Sequence, residues 1–160
     1  MQVMLDTREI TQEDINWSRC MRIVEVLGQT AWMQVQADHF HGSHVFAAFA
    51  EDEPVGFLRF VVQRLGEDEE RPPIHFKDHA LTEAKIIAFG VVPDFRNQGI
   101  GRALQQAAMQ RAKELGCYQV RSRSDYANVA NFHLKIALGF GIQPSLENDS
   151  VYFVKILRVV

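Results

Sequence analysis

Cysteine, excess positive charge and long apolar runs are all scarce in this sequence of 160 residues. Two cysteines, Cys20 and Cys117, are too few for a disulfide framework, and their number favours a reduced, cytoplasmic setting. The net charge of −3 argues against nucleic acid or an anionic membrane surface as a partner. No apolar run approaches the roughly 20 residues that cross a bilayer, so we expect no membrane-spanning segment. The hydrophobic content of 47% suffices for the core of one domain over residues 1–160.

The N-terminal third predicts a strand, two helices and a hairpin. Residues 3–5 suit a first strand, and Thr11 suits the N-cap of a following helix because acidic residues come directly after it. A second helical stretch is predicted over residues 31–39. Two apolar runs, 45–50 and 55–62, flank a short polar turn and therefore predict a β-hairpin.

A strand, a turn rich in glycine and a helix are predicted between residues 85 and 115. The apolar run 86–92 indicates a buried strand, and Pro93 ends it because proline cannot donate to a strand ladder. Residues 102–115 carry apolar side chains at the three-and-four spacing of one helix face. Gly116 suits the left-handed conformation that often follows the last helical residue.

The turn between this strand and this helix has the chemistry of an anion site. The first turn of a helix leaves its backbone N–H groups without intrahelical partners, and the peptide dipoles place roughly half a positive charge there. Gly99 and Gly101 have no side chains to hold an anion away from those donors. Phosphate or pyrophosphate would suit such a site.

The rest of the chain predicts one more helix and a closing pair of strands. A strand is expected over residues 118–124, a helix over 128–138, and an antiparallel pair at 142–143 and 151–159. Residues 65–81 are charged, contain two prolines and show no period. A loop of this length is a solvated excursion or a lid over a binding site.

Two segments together resemble motifs of the GNAT family of N-acetyltransferases. Motif A of that family is written Arg/Gln-x-x-Gly-x-Gly/Ala, and it stands here as Arg96-Asn97-Gln98-Gly99-Ile100-Gly101 after the lead-in Val91-Val92-Pro93. Residues 128–140 resemble motif B, written Asn-x-x-Ala-x-x-hydrophobic-Tyr-x-x-x-Gly-Phe. The resemblance implies an α/β acyl-CoA N-acyltransferase fold, with a central mixed, mostly antiparallel sheet flanked by helices. The predicted element order β-α-α-β-β-β-α-β-α-β-β matches that family.

The resemblance also implies acetyl-CoA as the cosubstrate. The backbone of the turn would receive its pyrophosphate, and the preceding strand would pair with its pantetheine arm in the manner of an added strand. The implied cofactor-binding residues are Phe89, Gly90, Val91, Arg96, Asn97, Gln98, Gly99, Ile100, Gly101, Arg102, Asn128 and Asn131.

Catalytic residues are less well defined, because the sequence departs from the family pattern. Lys85 stands where some members carry a glutamate base, so we expect Glu83, two residues earlier on the same strand face, to act through water. An exposed Glu83 paired with Lys85 is the structural alternative. Lys135 replaces the motif B tyrosine and would protonate the thiolate or bind phosphate, while Tyr126 is a substitute donor. Proximity and orientation without a dedicated residue are also open.

The acceptor is expected to be a primary amine of a small molecule. A protein or peptide amine, a longer acyl donor, and a non-catalytic CoA-binding sensor remain alternatives. In the family, the helix–loop–helix region near the N-terminus borders the acceptor site, and homodimers are common. His39, His41 and His44 match no defined zinc spacing, and no cysteine lies near them, so we expect no metal site.

Overall fold

A computed structural model describes residues 3–145 and 149–158, and a seven-stranded sheet dominates this part of the chain. The strands are β1 (Leu5–Ile10), β2 (Gly42–Ala50), β3 (Glu53–Arg64), β4 (His75–Phe76), β5 (His79–Ala80), β6 (Thr82–Val91), β7 (Gln119–Asp125), β8 (Gly141–Pro144) and β9 (Ser150–Ile156). The large sheet has the order β1-β2-β3-β6-β7-β9-β8, and β4 and β5 form a separate small ribbon. All pairs in the large sheet are antiparallel except β6 with β7. The mixed, mostly antiparallel sheet that we predicted is confirmed.

Within the described residues, four α-helices cover the two faces of the sheet. They are α1 (Trp17–Val26), α2 (Thr30–Gln34), α3 (Ile100–Glu114) and α4 (Val129–Ala137). One core, which includes Leu58, Phe60 and Leu104, lies on the α3 side. The other, which includes Val24 and Phe57, lies on the α1 side. No helix within residues 3–145 and 149–158 is long and apolar enough to span a membrane.

The elements near the N-terminus are displaced from their predicted positions. The first strand is predicted over residues 3–5, but β1 spans Leu5–Ile10 and so begins where the predicted strand ends. The predicted N-cap Thr11 is wrong, since α1 begins at Trp17 after Asn16. The Asp14 carboxylate accepts the Asn16 N–H at 2.8 Å, and these polar residues therefore form turns before the helix. Helix α2 ends at Gln34, five residues earlier than expected, because its few apolar side chains give it little to bury.

The remaining predictions hold more closely. The β2–β3 hairpin is confirmed, and α3 begins two residues before its predicted start. Gly116 has a φ of 84°, as expected for the residue after α3. The predicted strand at 151–159 ends at Ile156, and the end of its range, together with Glu147 and Asn148 of the turn before it, lies outside the described residues.

A bulge in β6 lies at the centre of the sheet, close to the point where the pairing of β6 with β7 ends. Arg59 of β3 pairs with Ala88 and Phe60 pairs with Ile86, so Ile87 is the extra residue on β6. The parallel pairing of β6 with β7 reaches only Ile86 and Ser122, although both strands continue beyond it. Beyond that pair the two strands diverge and leave a strand edge of β6 unpaired.

The predicted loop 65–81 is anchored to the sheet by charge. Arg121 of β7 is almost fully buried and contacts three carboxylates. It donates to Glu83 at 3.0 Å and to Glu69 at 2.9 Å, and it also pairs with Asp68. Lys85 forms an ion pair with Asp68 as well. The acidic first part of the segment therefore folds inward over the polar face of β6 and β7, whereas residues 70–79 are exposed to solvent.

We expect the Asp68→Asn variant to lose stability at neutral pH. Burial alone would raise the pKa of Asp68, but the hydrogen bond from Lys85 and the charge of Arg121 outweigh it and lower the pKa to about 2. Because this pKa lies below the unfolded value of 3.8, the stabilisation is present at neutral pH and is lost as pH falls through about 4 towards 2. Its magnitude is about 2 kcal/mol. Urea unfolding at pH 7 and pH 3 should show a smaller pH dependence in Asp68→Asn.

The control for this variant is Glu70→Gln, which changes an exposed acid in the same segment. It should unfold like the wild type at both pH values. Equal losses in the two variants would contradict a specific anchoring role for Asp68.

Candidate active site

A continuous cleft opens where β6 and β7 diverge. It consists of two cavities of about 470 and 710 Å³. The smaller lies towards Lys85 and the end of β7, and the larger lies towards the start of α3. The residues shared by both linings are Leu27, Gln29, Phe89, Asn128 and Asn131. We call the first the acceptor-side cavity, the second the helix-side cavity, and their shared part the junction.

The turn before α3 has the backbone geometry of an anion site. Gly99 is the N-cap of α3 with a φ of 84°, and no side chain caps this helix end. The preceding Asn97 is also left-handed, with a φ of 62°. The first N–H groups of α3 therefore point out of the helix without intrahelical partners. Two cations, Arg96 and Arg102, line the helix-side cavity beside them.

Most of the predicted cofactor-binding residues come together in this cleft. Those that line it are Phe89, Gly90, Val91, Arg96, Asn97, Gly99, Gly101, Arg102, Asn128 and Asn131. Two of the predicted set do not. The Ile100 side chain is buried in the core, and Gln98 is exposed and donates to the Asp94 carbonyl at 3.2 Å. These two residues can contribute only through the backbone or the shape of the turn.

Strand β6 presents its unpaired edge to the junction. Gly90 is needed there because a Cβ at this position would lie 2.9 Å from Leu27 Cδ1 and 3.0 Å from Phe57 Cζ. Arg96 Nε donates to the Val91 carbonyl at 2.9 Å and so holds the turn against the strand end. A side chain from the α1–α2 connection makes hydrogen bonds with both the N–H and the carbonyl of Phe89. Gln29 Nε2 donates to the Phe89 carbonyl at 2.7 Å, and Phe89 N–H donates to Gln29 Oε1 at 3.0 Å.

Helix α4 supplies the opposite wall. Asn128 caps this helix, with its side-chain oxygen accepting the Asn131 N–H at 3.1 Å. The side-chain oxygen of Asn131 itself is buried and has no hydrogen-bond partner among the described residues. A buried acceptor without a partner costs free energy, and such groups are rare in native proteins. Its place at the junction therefore fits a ligand that donates an N–H there.

The structure places Glu83 outside the cleft. Its carboxylate is fully buried and accepts five hydrogen bonds, from Gln63, Gln119, the Gly66 N–H and twice from Arg121. The pairing of an exposed Glu83 with Lys85 is wrong, since Lys85 pairs with Asp68. The role of Glu83 as a base stays a prediction. Its position does not support that role, because its oxygens are occupied and it lines neither cavity.

Lys135 also points away from the cleft. Its ammonium is fully buried, donates to Gln105 Oε1 at 2.8 Å and lies 4.4 Å from the centre of the Phe140 ring. Burial lowers the pKa of Lys135 to about 7. The third predicted catalytic residue, Tyr126, is 56% exposed and stacks on Phe132 with ring centres 6.4 Å apart. Neither residue lines either cavity.

Most residues of the acceptor-side cavity were not among the predicted site residues, and several of them are polar or aromatic. Trp32 from α2 and Arg123 and Asp125 from β7 line this cavity, and Gln29 lines the junction. Asp125 is the one carboxylate among the described residues that line the two cavities. It makes no hydrogen bond or ion pair through its carboxylate with the described part of the chain. The position of Asp125 at the end of the strand after the motif A helix could have indicated it from the sequence. No feature of the sequence indicated Gln29.

Comparisons with known proteins agree with this geometry. The profile of the acetyltransferase (GNAT) family matches residues 6–140. Arabidopsis thaliana NAA60 in complex with acetyl-CoA is 18% identical with a TM-score of 0.72, and the match covers 96% of this chain and 99% of that one. The ribosomal-protein-S18-alanine N-acetyltransferase from Escherichia coli is 14% identical with a TM-score of 0.60, covering 94% and 91%.

A third structure is the PaiA N-acetyltransferase from Thermoplasma acidophilum in complex with coenzyme A. It is 12% identical with a TM-score of 0.67, and the match covers 96% of this chain and 99% of that one. At these identities the likeness concerns the fold alone. No curated protein sequence matches the chain.

We expect Lys135→Met to remove a pH dependence of stability and to leave acetyl transfer unchanged. Because the pKa of Lys135 falls from 10.5 to about 7 on folding, the unfolded chain binds more protons between these values. Its contribution to the free energy of unfolding therefore rises with pH from about 7 to about 10. Methionine fills a similar volume without a charge. Urea unfolding between pH 7 and pH 10 should show a larger rise of stability with pH in the wild type than in Lys135→Met. A large loss of turnover in the variant would contradict our conclusion that Lys135 lies outside the active site.

Proposed function

This chain belongs to the GNAT family of acetyltransferases and is an acetyl-CoA-dependent N-acetyltransferase, and we propose that its acceptor is the primary amine of a small molecule. The observation that supports this proposal is the two-part cleft, in which an anion site and a cavity lined by the Asp125 carboxylate meet at one strand edge. The donor would enter from the α3 side, and the acceptor would enter from the other.

The donor half of the proposal assigns the helix-side cavity to acetyl-CoA. The pyrophosphate would lie on the first N–H groups of α3 at Gly99 to Arg102, with Arg96 and Arg102 supplying charge. The pantetheine arm would follow the edge of β6 at Phe89 and Val91. The free oxygen of Asn131 would accept one of its amide N–H groups. This arrangement places the thioester at the junction, next to the acceptor-side cavity.

The acceptor half assigns the proton chemistry to Asp125. An amine is protonated at neutral pH and cannot attack until it loses a proton. The free carboxylate of Asp125 would attract the ammonium and accept that proton through water. The amine nitrogen would then bond to the thioester carbonyl carbon and lose its second proton to water, while the carbon–sulfur bond breaks and the thiolate leaves and takes a proton from solvent. Backbone N–H groups at the junction would stabilise the oxyanion in between.

The size, walls and charges of the acceptor-side cavity support the choice of a small molecule. Its volume is about 470 Å³, and α2 with Trp32 borders one side. Lys85 also lines this cavity and is held by its ion pair with Asp68 of the anchored segment. Its charges are mixed, with Lys85 and Arg123 besides Asp125, whereas an open and uniformly acidic groove would suit a peptide. A protein or peptide amine is the alternative, which the ribosomal-protein-S18-alanine N-acetyltransferase illustrates for this fold.

We expect Arg102→Glu to weaken binding of both CoA and 3′,5′-ADP. The variant replaces a cation beside the proposed phosphate site with an anion, and loss of one charge-assisted hydrogen bond costs about tenfold or more in affinity. Calorimetric titration measures the effect. The matched control is Lys113→Glu, which makes the same charge change at an exposed position at the other end of α3. Similar losses in both variants would contradict the placement of the phosphate site.

We expect Asp125→Asn to lower turnover and raise KM for the amine while leaving the affinity for acetyl-CoA unchanged. The amide cannot take a proton and no longer attracts an ammonium. Turnover is measured as free thiol released from acetyl-CoA across a panel of small amines and short peptides, with a full pH profile. The loss should be on the order of a hundredfold, as for removal of a general base. Rescue by Asp125→Glu supports the role, and unaltered turnover in Asp125→Asn would contradict it.

The same panel separates the acceptor classes. Turnover of small amines supports the proposal, and turnover of peptides alone would replace it with a peptide acceptor. Tight binding of acetyl-CoA without turnover of any amine would instead favour a CoA-binding sensor.

A further inference from the structure

The side chain of Gln29 occupies the free edge of the central strand. Its carboxamide donates to the Phe89 carbonyl at 2.7 Å and accepts the Phe89 N–H at 3.0 Å. Both Phe89 groups point towards the cleft, since the β6–β7 pairing ends three residues earlier at Ile86. A side chain 60 residues away in the sequence thus pairs with this edge as a neighbouring strand would.

We propose that Gln29 is a stand-in for the amide arm of acetyl-CoA and must leave Phe89 before that arm can bind. This inference rests on the proposed function. The pantetheine arm carries two amides and can offer the carbonyl and N–H that Gln29 offers to Phe89. Because each Phe89 group faces one partner in the junction, the carboxamide and the arm compete for the same position. Gln29 would therefore set the affinity for the donor.

The motion required is small, because the backbone around Gln29 is held. Its N–H donates to the Val24 carbonyl at 3.0 Å, and its carbonyl accepts the Met33 N–H at 3.0 Å. Helix α2 is fixed in turn by the buried Arg59, which donates to the carbonyls of Trp32 and Met33. Rotation of one side chain into the open cleft is thus sufficient.

The competition reduces the observed affinity for acetyl-CoA in proportion to the fraction of molecules in which Gln29 has left Phe89. Ligand affinity falls in proportion to the population of the competent state. Two neutral hydrogen bonds in a solvated cleft correspond to a fraction of about one in ten. Displacement also frees a carboxamide at the junction, directly beside the acceptor-side cavity.

The experiment compares the wild type with Gln29→Ala by calorimetric titration of acetyl-CoA and of 3′,5′-ADP. Because 3′,5′-ADP lacks the pantetheine arm, its affinity should not depend on Gln29. Gln29→Ala should bind acetyl-CoA about tenfold more tightly and 3′,5′-ADP with the wild-type affinity. The matched control is Gln110→Ala, which removes an exposed glutamine from α3 far along the helix from the cleft. It should change neither affinity.

Three other outcomes have distinct meanings. Wild-type affinity of Gln29→Ala for acetyl-CoA, or weaker binding, would overturn this inference and leave the proposed function intact. Equal gains for both ligands would also overturn it, because the effect would then not involve the arm. Failure of the wild type to bind either ligand would overturn the proposed function and this inference with it.

Amide hydrogen exchange at Phe89 gives an independent readout. In the free wild type the Phe89 N–H is bonded to Gln29 and should exchange slowly, whereas in free Gln29→Ala it should exchange faster. Acetyl-CoA should restore protection in the variant, and 3′,5′-ADP should not. Equal protection of Phe89 in both free proteins would contradict the pairing on which the inference rests.

Discussion

The end of the β6–β7 pairing at Ile86 and Ser122 is the constraint on which the rest of the site depends. The extra residue Ile87 shifts the register of β6, so Ala88 lies in the core on the α1 side while Ile86 lies in the core on the α3 side. A strand that changes faces cannot keep its parallel partner. The divergence creates the cleft, exposes a strand edge within it, and directs that edge at the start of α3.

Burial determined which ionisable residues are available for chemistry. A buried charge is costly unless it is paired, so Glu83 and Arg121 join in one network with the anchored segment. Burial lowers the pKa of Lys135, which has no carboxylate partner within residues 3–145 and 149–158. Asp125 is exposed at the end of its strand and keeps a free carboxylate. Asp125 is thus the carboxylate that lines the cleft, and in our proposal it is the one that reacts.

The two halves of the cleft are joined by the backbone of one residue. Phe89 faces the helix-side cavity and the acceptor-side cavity alike, and its peptide groups are bonded by Gln29. In our proposal, donor binding, acceptor binding and the position of the α1–α2 connection meet at this peptide unit, and a single side-chain rotation links them.

The sequence by itself determined the fold class, the strand–turn–helix unit and most of the residues that line the helix-side cavity, because these depend on local properties. The glycines at 99 and 116 adopt the left-handed conformations that their positions required, and the unit containing motif A forms as predicted. Only the tertiary structure decided the catalytic side. Whether Glu83, Lys135 or Asp125 meets the cleft depends on a bulge and on partners from distant strands. The contact of Gln29 with Phe89 joins positions 60 residues apart, and no local pattern encodes it.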